Sequence, residues 1–320
     1  MLCADQEVLA AACAWLEQNQ RVALVTVART YGSSPRPAGS LLAVNEQGDW
    51  VGSVSGGCVE SHLVAQLRKE WPTRPRWISL GAAAHDAALL GLPCGGRVEL
   101  LAECLDSAAP LRTLLRSIEA RELLARRVCL TTGEVSLHAV ARTQEFSFDS
   151  QNLEKVFGPQ WRVLLIGAGQ LSRFVAQMAL ALDYEVVVCE PRAEYARQWN
   201  VPGAVVDNNM PDEVAACARD ARSAVLALTH DPELDDLALS VALPSDAFYV
   251  GALGSATSSA ARRKRLAWLG LDARAIARLH GPVGLPIGSK TPAEIAVAIL
   301  AGVTAVRRGV RYPSVALAGA

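Results

Sequence analysis

The stretch VLLIGAGQLSRFVAQMALALDYEVVVCE, Val163 to Glu190, decides the fold of the second half of this chain. An apolar run reads as a strand, turns through Gly167 and Gly169, and enters a segment whose apolar residues recur at helical spacing. A second apolar, β-branched run then closes at Glu190, 23 positions after Gly167. A glycine pair alone is a weak signal. Between a strand and a helix it gains weight, because a helix N-terminus offers amides to a phosphate and an acid ending the next strand can accept from a ribose hydroxyl. Ser172 stands where the dinucleotide fingerprint has its third glycine. A structural turn without any nucleotide is the other reading.

Downstream, AVVD, SAVLALTH and AFYVGALG read as further strands, alternating with helical PDEVAACAR and ELDDLALSVAL. Strands alternating with helices imply right-handed crossovers and a parallel, doubly wound sheet, whose ligands collect at the carboxyl ends of the strands. Two stretches occupy such ends, Thr229-His230-Asp231 and the segment closing on Gly254-Ser255. His230 reads equally as a ligand contact or proton relay and as a capping or core residue. Arg262, Arg263, Lys264 and Arg265 spread around a helix, so their plainest reading is a solvated face, with one or two available to a phosphate. In GPVGLPIGSKTPAEIAVAI, Thr291 is the expected N-cap, Pro292 the first helical residue and Glu294 its capping-box partner; Lys290 is the natural anion contact of the loop.

The first half has another pattern. An amphipathic helix opens it, RVALVTVART follows as a buried strand, and SLLAVNEQGDWVGSVS reads as two strands around a turn. RPRWISLG and GRVELLAEC are expected as strands, PLRTLLRSIEARELLARR as a helix, and VCLTTG with EVSLHAV as a closing hairpin. Polar residues with Gly158-Pro159 then predict a linker. The expected organisation is a mixed α/β domain over 1–145, a linker over 146–160 and a Rossmann-like domain over 161–320.

With 51% apolar and 20% charged residues and a net charge of −1, the chain shows no broad attraction to nucleic acid or to an anionic membrane. The N-terminus lacks a basic n-region and no apolar run reaches the roughly 18 residues of a membrane span, so a cytoplasmic protein is expected. Eight cysteines form no CxxC pair. Cys58, behind two glycines in SGGCVE, opens a helix, a position that favours the thiolate, and Cys94 is equally glycine-flanked in PCGG; a small buried residue is the other reading of each. The remaining cysteines, Cys3, Cys13, Cys104, Cys129, Cys189 and Cys217, read as packing residues.

Taken together, GSSPRPAG, SGGCVE, PCGG, IGAG, THD, YVGALGS and PVGLPIGSKTPAEIAVAI resemble the XdhC/CoxI family of molybdenum-hydroxylase maturation factors. The resemblance implies a chaperone that binds the molybdenum cofactor, as molybdopterin or its cytosine dinucleotide form. It would protect the cofactor while a cysteine desulfurase supports sulfuration, and insert it into an apo molybdenum hydroxylase of the xanthine dehydrogenase or aldehyde oxidase type, an aldehyde-oxidising client being the expectation. A homodimer is implied by the family alone. Carried over by position, the ligand-facing residues would be Gly32, Ser33, Ser34 and Arg36, then Gly56, Gly57, Cys58 and Glu60, then Cys94, Gly95 and Gly96. Cys58 and Cys94 would offer soft thiolates to molybdenum or sulfur. Gln170 replaces a histidine common in relatives, and Glu190 an aspartate, which leaves nucleotide binding by the second domain open. The rival reading is an NAD(P)-dependent oxidoreductase with His230 as acid/base; a third is a scaffold bridging desulfurase and apoenzyme.

Overall fold

The structure is a computed structural model and describes residues 4–31, 36–57, 59–81, 97–140 and 145–310. The chain divides into two compact units, residues 1–159 and 160–320.

Unit 1 is built on a five-stranded sheet of order β3-β2-β1-β5-β4: β1 (Val22–Tyr31), β2 (Leu41–Asn45), β3 (Trp50–Gly52), β4 (Arg76–Leu80) and β5 (Arg97–Leu105), paired antiparallel throughout. Alternation along β1 sends Val25 and Val27 to one face and Val22 and Leu24 to the other. On the first face, helix α2 (Glu60–Lys69) buries Leu63, Val64 and Leu67. Helices α1 (Ala4–Glu17) and α3 (Ala109–Glu119) cover the second with Val8, Leu9, Leu111 and Leu114.

A smaller four-stranded sheet follows, of order β7-β6-β9-β8: β6 (Leu124–Cys129), β7 (Val135–Ala139), β8 (Phe146–Phe148) and β9 (Asn152–Phe157). Two expectations change here. The helix read through Arg127 stops at Glu119, because Arg121 takes a left-handed φ of 60° and the Glu122 amide donates back to the Ser117 carbonyl. The expected linker carries β8 and β9 instead. Leu153, Val156 and Phe157 are buried, and Phe146 and Phe148 pack on the small core of Ala28, Leu101 and Leu153.

Unit 2 is a parallel six-stranded sheet of order β12-β11-β10-β13-β14-β15: β10 (Arg162–Ile166), β11 (Glu185–Cys189), β12 (Val205–Asp207), β13 (Ser223–Ala227), β14 (Tyr249–Ala252) and β15 (Leu279–His280). Counted from β10 this is the 3-2-1-4-5-6 order of dinucleotide-binding folds, whose switch point lies between β10 and β13. Helices α4 (Gln170–Ala181) and α10 (Pro292–Arg307) cover one face through Val175, Ala179, Ile299 and Val303. Helices α6 (Pro211–Ala216), α7 (Pro232–Ala242) and α8 (Ala256–Trp268) cover the other through Ala215, Leu239 and Leu266. The short helices α5 (Ala193–Ala196) and α9 (Ala273–Ala277) complete the crossovers. Burial on both faces is why β10 and β13 are continuous apolar runs. Among the described residues no helix is long and apolar enough to cross a membrane.

Candidate functional site

At the carboxyl ends of β10, β13 and β14 lies a cavity of about 810 Å³. Gly167, Gly169 and Gln170 line it from the first turn, Thr229, His230 and Asp231 from the end of β13, and Gly254 from the end of β14. Gly167 has φ +98°, and a Cβ there would stand 2.6 Å from Thr229 Cγ2; the close approach of β13 requires glycine. Gly169 caps α4 in extended backbone, with open space where a side chain would be. This is the strand–turn–helix expected from the sequence. Ser172, in the third glycine's place, is buried, and its hydroxyl finds no partner among the described residues.

Glu190 departs from the expectation. It is fully buried, and its carboxylate accepts from the Ala168 amide (2.9 Å), the Arg192 amide (3.1 Å), Arg192 Nε (2.7 Å) and Arg192 Nη2 (3.0 Å). Although burial opposes ionisation, the bonds from Arg192 and Ala168 hold the carboxyl below its ordinary range. Four donors saturate a carboxylate, so Glu190 binds the glycine turn and has no lone pair left for a ribose. The cleft meets Arg192 instead, its guanidinium 4.3 Å from the Tyr195 ring centroid; both residues line the cavity. Neither stood out in the sequence, since Arg192 precedes and Tyr195 lies within a short polar helix just after the strand end.

The arginine block is structural. Arg262 is buried, donates to Asp235 (2.7 Å) and the Leu253 carbonyl (2.9 Å), and Arg265 pairs with Asp236. Arg263 donates to the carbonyls of Leu279 and Gly281, and only Lys264 of the four is exposed. Asp235 in turn accepts from the Thr229 hydroxyl at 2.7 Å, which fastens the end of β13 at the cavity rim. Burial raises the Asp235 carboxyl to about 6 against the opposing pull of Thr229 and Arg262. His230 is exposed at the cleft. Ser255 caps α8 by accepting from the Ser258 amide. Thr291 and Glu294 form the expected capping box, and Lys290 is exposed, its amide donating to Glu294.

In unit 1 the loop from β3 to α2 is organised by Glu60. Its buried carboxylate accepts from Ser53 Oγ (2.6 Å), the Val54 and Ser55 amides (3.0 Å each), Ser55 Oγ (2.7 Å) and the Val59 amide (3.2 Å). Burial works against the charge, but the hydroxyl and amide donors prevail and hold the carboxyl down to about 2. Gly56 and Gly57 project at the surface with φ of 88° and 111°, and around Gly57 nothing approaches where a Cβ would be. Arg36 is exposed. The expected ligand residues Gly32, Ser33, Ser34, Cys58, Cys94, Gly95 and Gly96 lie outside the described residues.

Two family descriptions match the chain: XdhC and CoxI family over residues 15–80, and XdhC Rossmann domain over residues 163–303. The chain belongs to the XdhC/CoxI family. The molybdenum cofactor insertion chaperone PaoD of Escherichia coli is 28% identical over 91% of this chain and 85% of its own. A Bacillus subtilis protein described as a probable xanthine dehydrogenase subunit is 25% identical over 93% of this chain and 96% of its own. A crystal structure described as a xanthine dehydrogenase from Bacillus halodurans shares the fold, with TM-score 0.71 and 23% identity over 98% of both chains.

Outside the two glycine motifs, the described cysteines of this XdhC/CoxI chain differ in exposure, and Cys3 lies outside the described residues. Cys13 and Cys189 are buried as expected, and burial pushes the Cys189 thiol up to about 12. Cys104 in β5 and Cys129 at the end of β6 are half-buried, and Cys217, the C-cap of α6, is exposed, against the packing expectation. No group of three or more His, Cys, Asp or Glu able to hold a metal occurs among the described residues.

Proposed function

We propose that this chain is a molybdenum cofactor insertion chaperone that holds the cofactor as cargo, protects it, supports its sulfuration and inserts it into an apo molybdenum hydroxylase. The observation that carries the reading is the Ser53–Glu60 loop. One buried carboxylate takes five donors and so fixes two exposed glycines in left-handed backbone immediately before Cys58. Such a turn lets main-chain amides approach oxyanions more closely than any side-chain-bearing residue allows. The cargo is a phosphate-bearing pterin with an anionic, dithiolene-held metal, and a thiolate at Cys58 would be a soft contact for that metal or its sulfur. Arg36, with Gly32, Ser33, Ser34, Cys94, Gly95 and Gly96, completes the proposed ligand set. The chaperone named PaoD, alike over most of both chains, supports the reading.

Glu60 has a different part from the one the resemblance implied. Its lone pairs are occupied by the loop, so it shapes the turn and leaves the cargo to the turn's outer surface. The decisive experiment is purification from a host that makes molybdopterin, followed by oxidation and fluorescence detection of released pterin. Pterin released in proportion to protein supports the carrier, and none leaves a scaffold between desulfurase and apoenzyme. Cys58→Ala is expected to keep the far-ultraviolet circular dichroism of the parent and lose client activation; a fully active client would remove the thiol from the proposal.

The cavity at the switch point of unit 2 favours a second reading, nucleotide binding, with NAD(P) as the ligand of an oxidoreductase. The saturation of Glu190 weighs against a ribose diol held in the usual way. Calorimetric titration with NAD and NADP, followed by a hydride-transfer assay on small carbonyl compounds, tests it: no stoichiometric binding ends the oxidoreductase reading.

A further inference from the structure

Unit 1 contains a groove that none of the roles above uses. It lies where β4, β5 and the outer end of β1 meet the turn between β8 and β9, encloses about 510 Å³, and is lined by Arg29, Trp77, Ser79, Glu99, Phe148 and Asp149, among others. Trp77 stands on the outward-facing side of the edge strand β4 and is 45% exposed. Its ring lies 5.9 Å from that of Phe148, which lies 6.0 Å from Phe146. Trp77 and Phe148 thus form an aromatic wall of the groove, with Phe146 packed behind Phe148 against the small core. Trp77 leaves much of its ring in solvent even though the inner side of β4, at Ile78 and Leu80, is packed into the core.

The charge around the wall is specific. The register of β1 slips between Val27 and Arg29, a bulge that re-aims the next side chain. Arg29 comes to lie with its guanidinium 4.5 Å from the Phe148 centroid, half exposed. Its carboxylate partner, Glu99, is 3.6 Å away and already engaged by Arg97 at 2.5 Å and by the Tyr31 hydroxyl at 3.4 Å. Two guanidinium groups over one carboxylate leave positive charge at the aromatic wall. Asp149, next to Phe148 in the chain, also lines the groove; its Oδ1 accepts from the Gln151 and Asn152 amides at 2.7 and 2.8 Å, which fixes the carboxylate in place and holds its pKa down.

We propose that this groove binds a planar nitrogen heterocycle that carries an anionic group. The ring stacks on the exposed Trp77, the anion meets Arg29 where it lies over Phe148, and ring N–H donors meet Asp149. A face-stacked heterocycle contributes stacking and a guanidinium contributes charge, a pairing that serves purines, pyrimidines and pterins alike. Two sources have this chemistry, a pterin and a nucleotide. The inference stands on the groove alone, and the chaperone reading bears only on which source supplies the ring.

The test is calorimetric titration of the full chain with pterin-6-carboxylate, with uncharged pterin, and with GMP and CMP. Saturable one-to-one binding of at least one anionic ring is expected. Trp77→Ala should weaken it about tenfold or more, the equivalent of about 1.4 kcal/mol of stacking, while Trp77→Phe retains most of the affinity. Arg29→Gln should weaken the charged ligands several-fold and leave uncharged pterin unchanged. Binding by pterin-6-carboxylate alone assigns the groove to a pterin, and binding by GMP or CMP alone assigns it to a nucleotide; either supports the proposal. It is overturned if no ligand saturates below millimolar concentration, or if Trp77→Ala, folded by circular dichroism, binds as the parent does. No client enzyme enters the readout, so this result is separable from the fate of the chaperone reading.

Discussion

Glu60 and Glu190 do the same physical work in the two units: each is a buried acid whose oxygens are filled by donors from a glycine turn and its neighbours. Replacing such an acid by its amide keeps the volume but points N–H groups at N–H and O–H donors. Glu60→Gln is therefore expected to lose about 3 kcal/mol at pH 7, judged from a folded-state carboxyl held near 2 against an ordinary 4.5. Because the folded pKa is depressed, the contribution is complete above pH 4.5 and fades as pH falls through 2, so the gap between parent and variant should close over that interval. Urea unfolding by circular dichroism across the range checks this; coincident curves at pH 7 would contradict it. At this scale the sequence showed where each acid stands, at the end of a strand and at the start of a helix. It did not show which donors would reach it, since Arg192 lies within two residues of Glu190 but could as well have pointed to solvent.

Three elements of unit 2 are joined at one point. Arg262 on α8 reaches Asp235 on α7, and Asp235 accepts from Thr229 at the end of β13. Arg262→Met would leave Asp235 buried without its cation, at a cost of about 3–5 kcal/mol, whereas removing both charges as Asp235→Leu/Arg262→Met should recover most of that loss. A double-mutant cycle by chemical denaturation measures the coupling, and additive losses would mean the ion pair does not join the helices. Asp235→Leu removes the acceptor that anchors Thr229 at the adjacent cavity, whereas Arg262→Met leaves that acceptor in place. Elements of unit 2 were legible because a parallel sheet covered on both faces must be written as apolar runs between amphipathic helices. The α3–β6 boundary was not: Leu123, Leu124 and Ala125 continue an apolar pattern, and nothing in the side chain of Arg121 announces its left-handed backbone. The strands β8 and β9 were hidden for a related reason, since half-buried strands in a small second sheet retain many polar residues.

Over the whole molecule, a net charge of −1 provides little long-range field, so capture of an anionic pterin has to rest on local amides and a few cations. Raising the salt from about 0.05 to about 0.5 M should weaken pterin-6-carboxylate binding by less than about tenfold, because partly buried contacts are screened far less than a surface field is. Calorimetry at the two salt concentrations checks this, and a fall of a hundredfold or more would point to diffuse attraction. The sequence by itself determined the mixed and parallel character of the two halves, the glycine turn at Gly167, the capping box at Thr291 and the family resemblance. All of these are written in local spacing, which backbone geometry and one-face or two-face burial impose directly. Tertiary structure alone decided that Glu190 is saturated, that the arginine block is consumed within the fold, and that Arg29, Trp77 and Phe148 meet around one groove. The reason is that hydrogen-bond saturation and aromatic contact depend on distances between groups far apart in the chain, which a bulge or a single left-handed residue can redirect without any trace in composition or period.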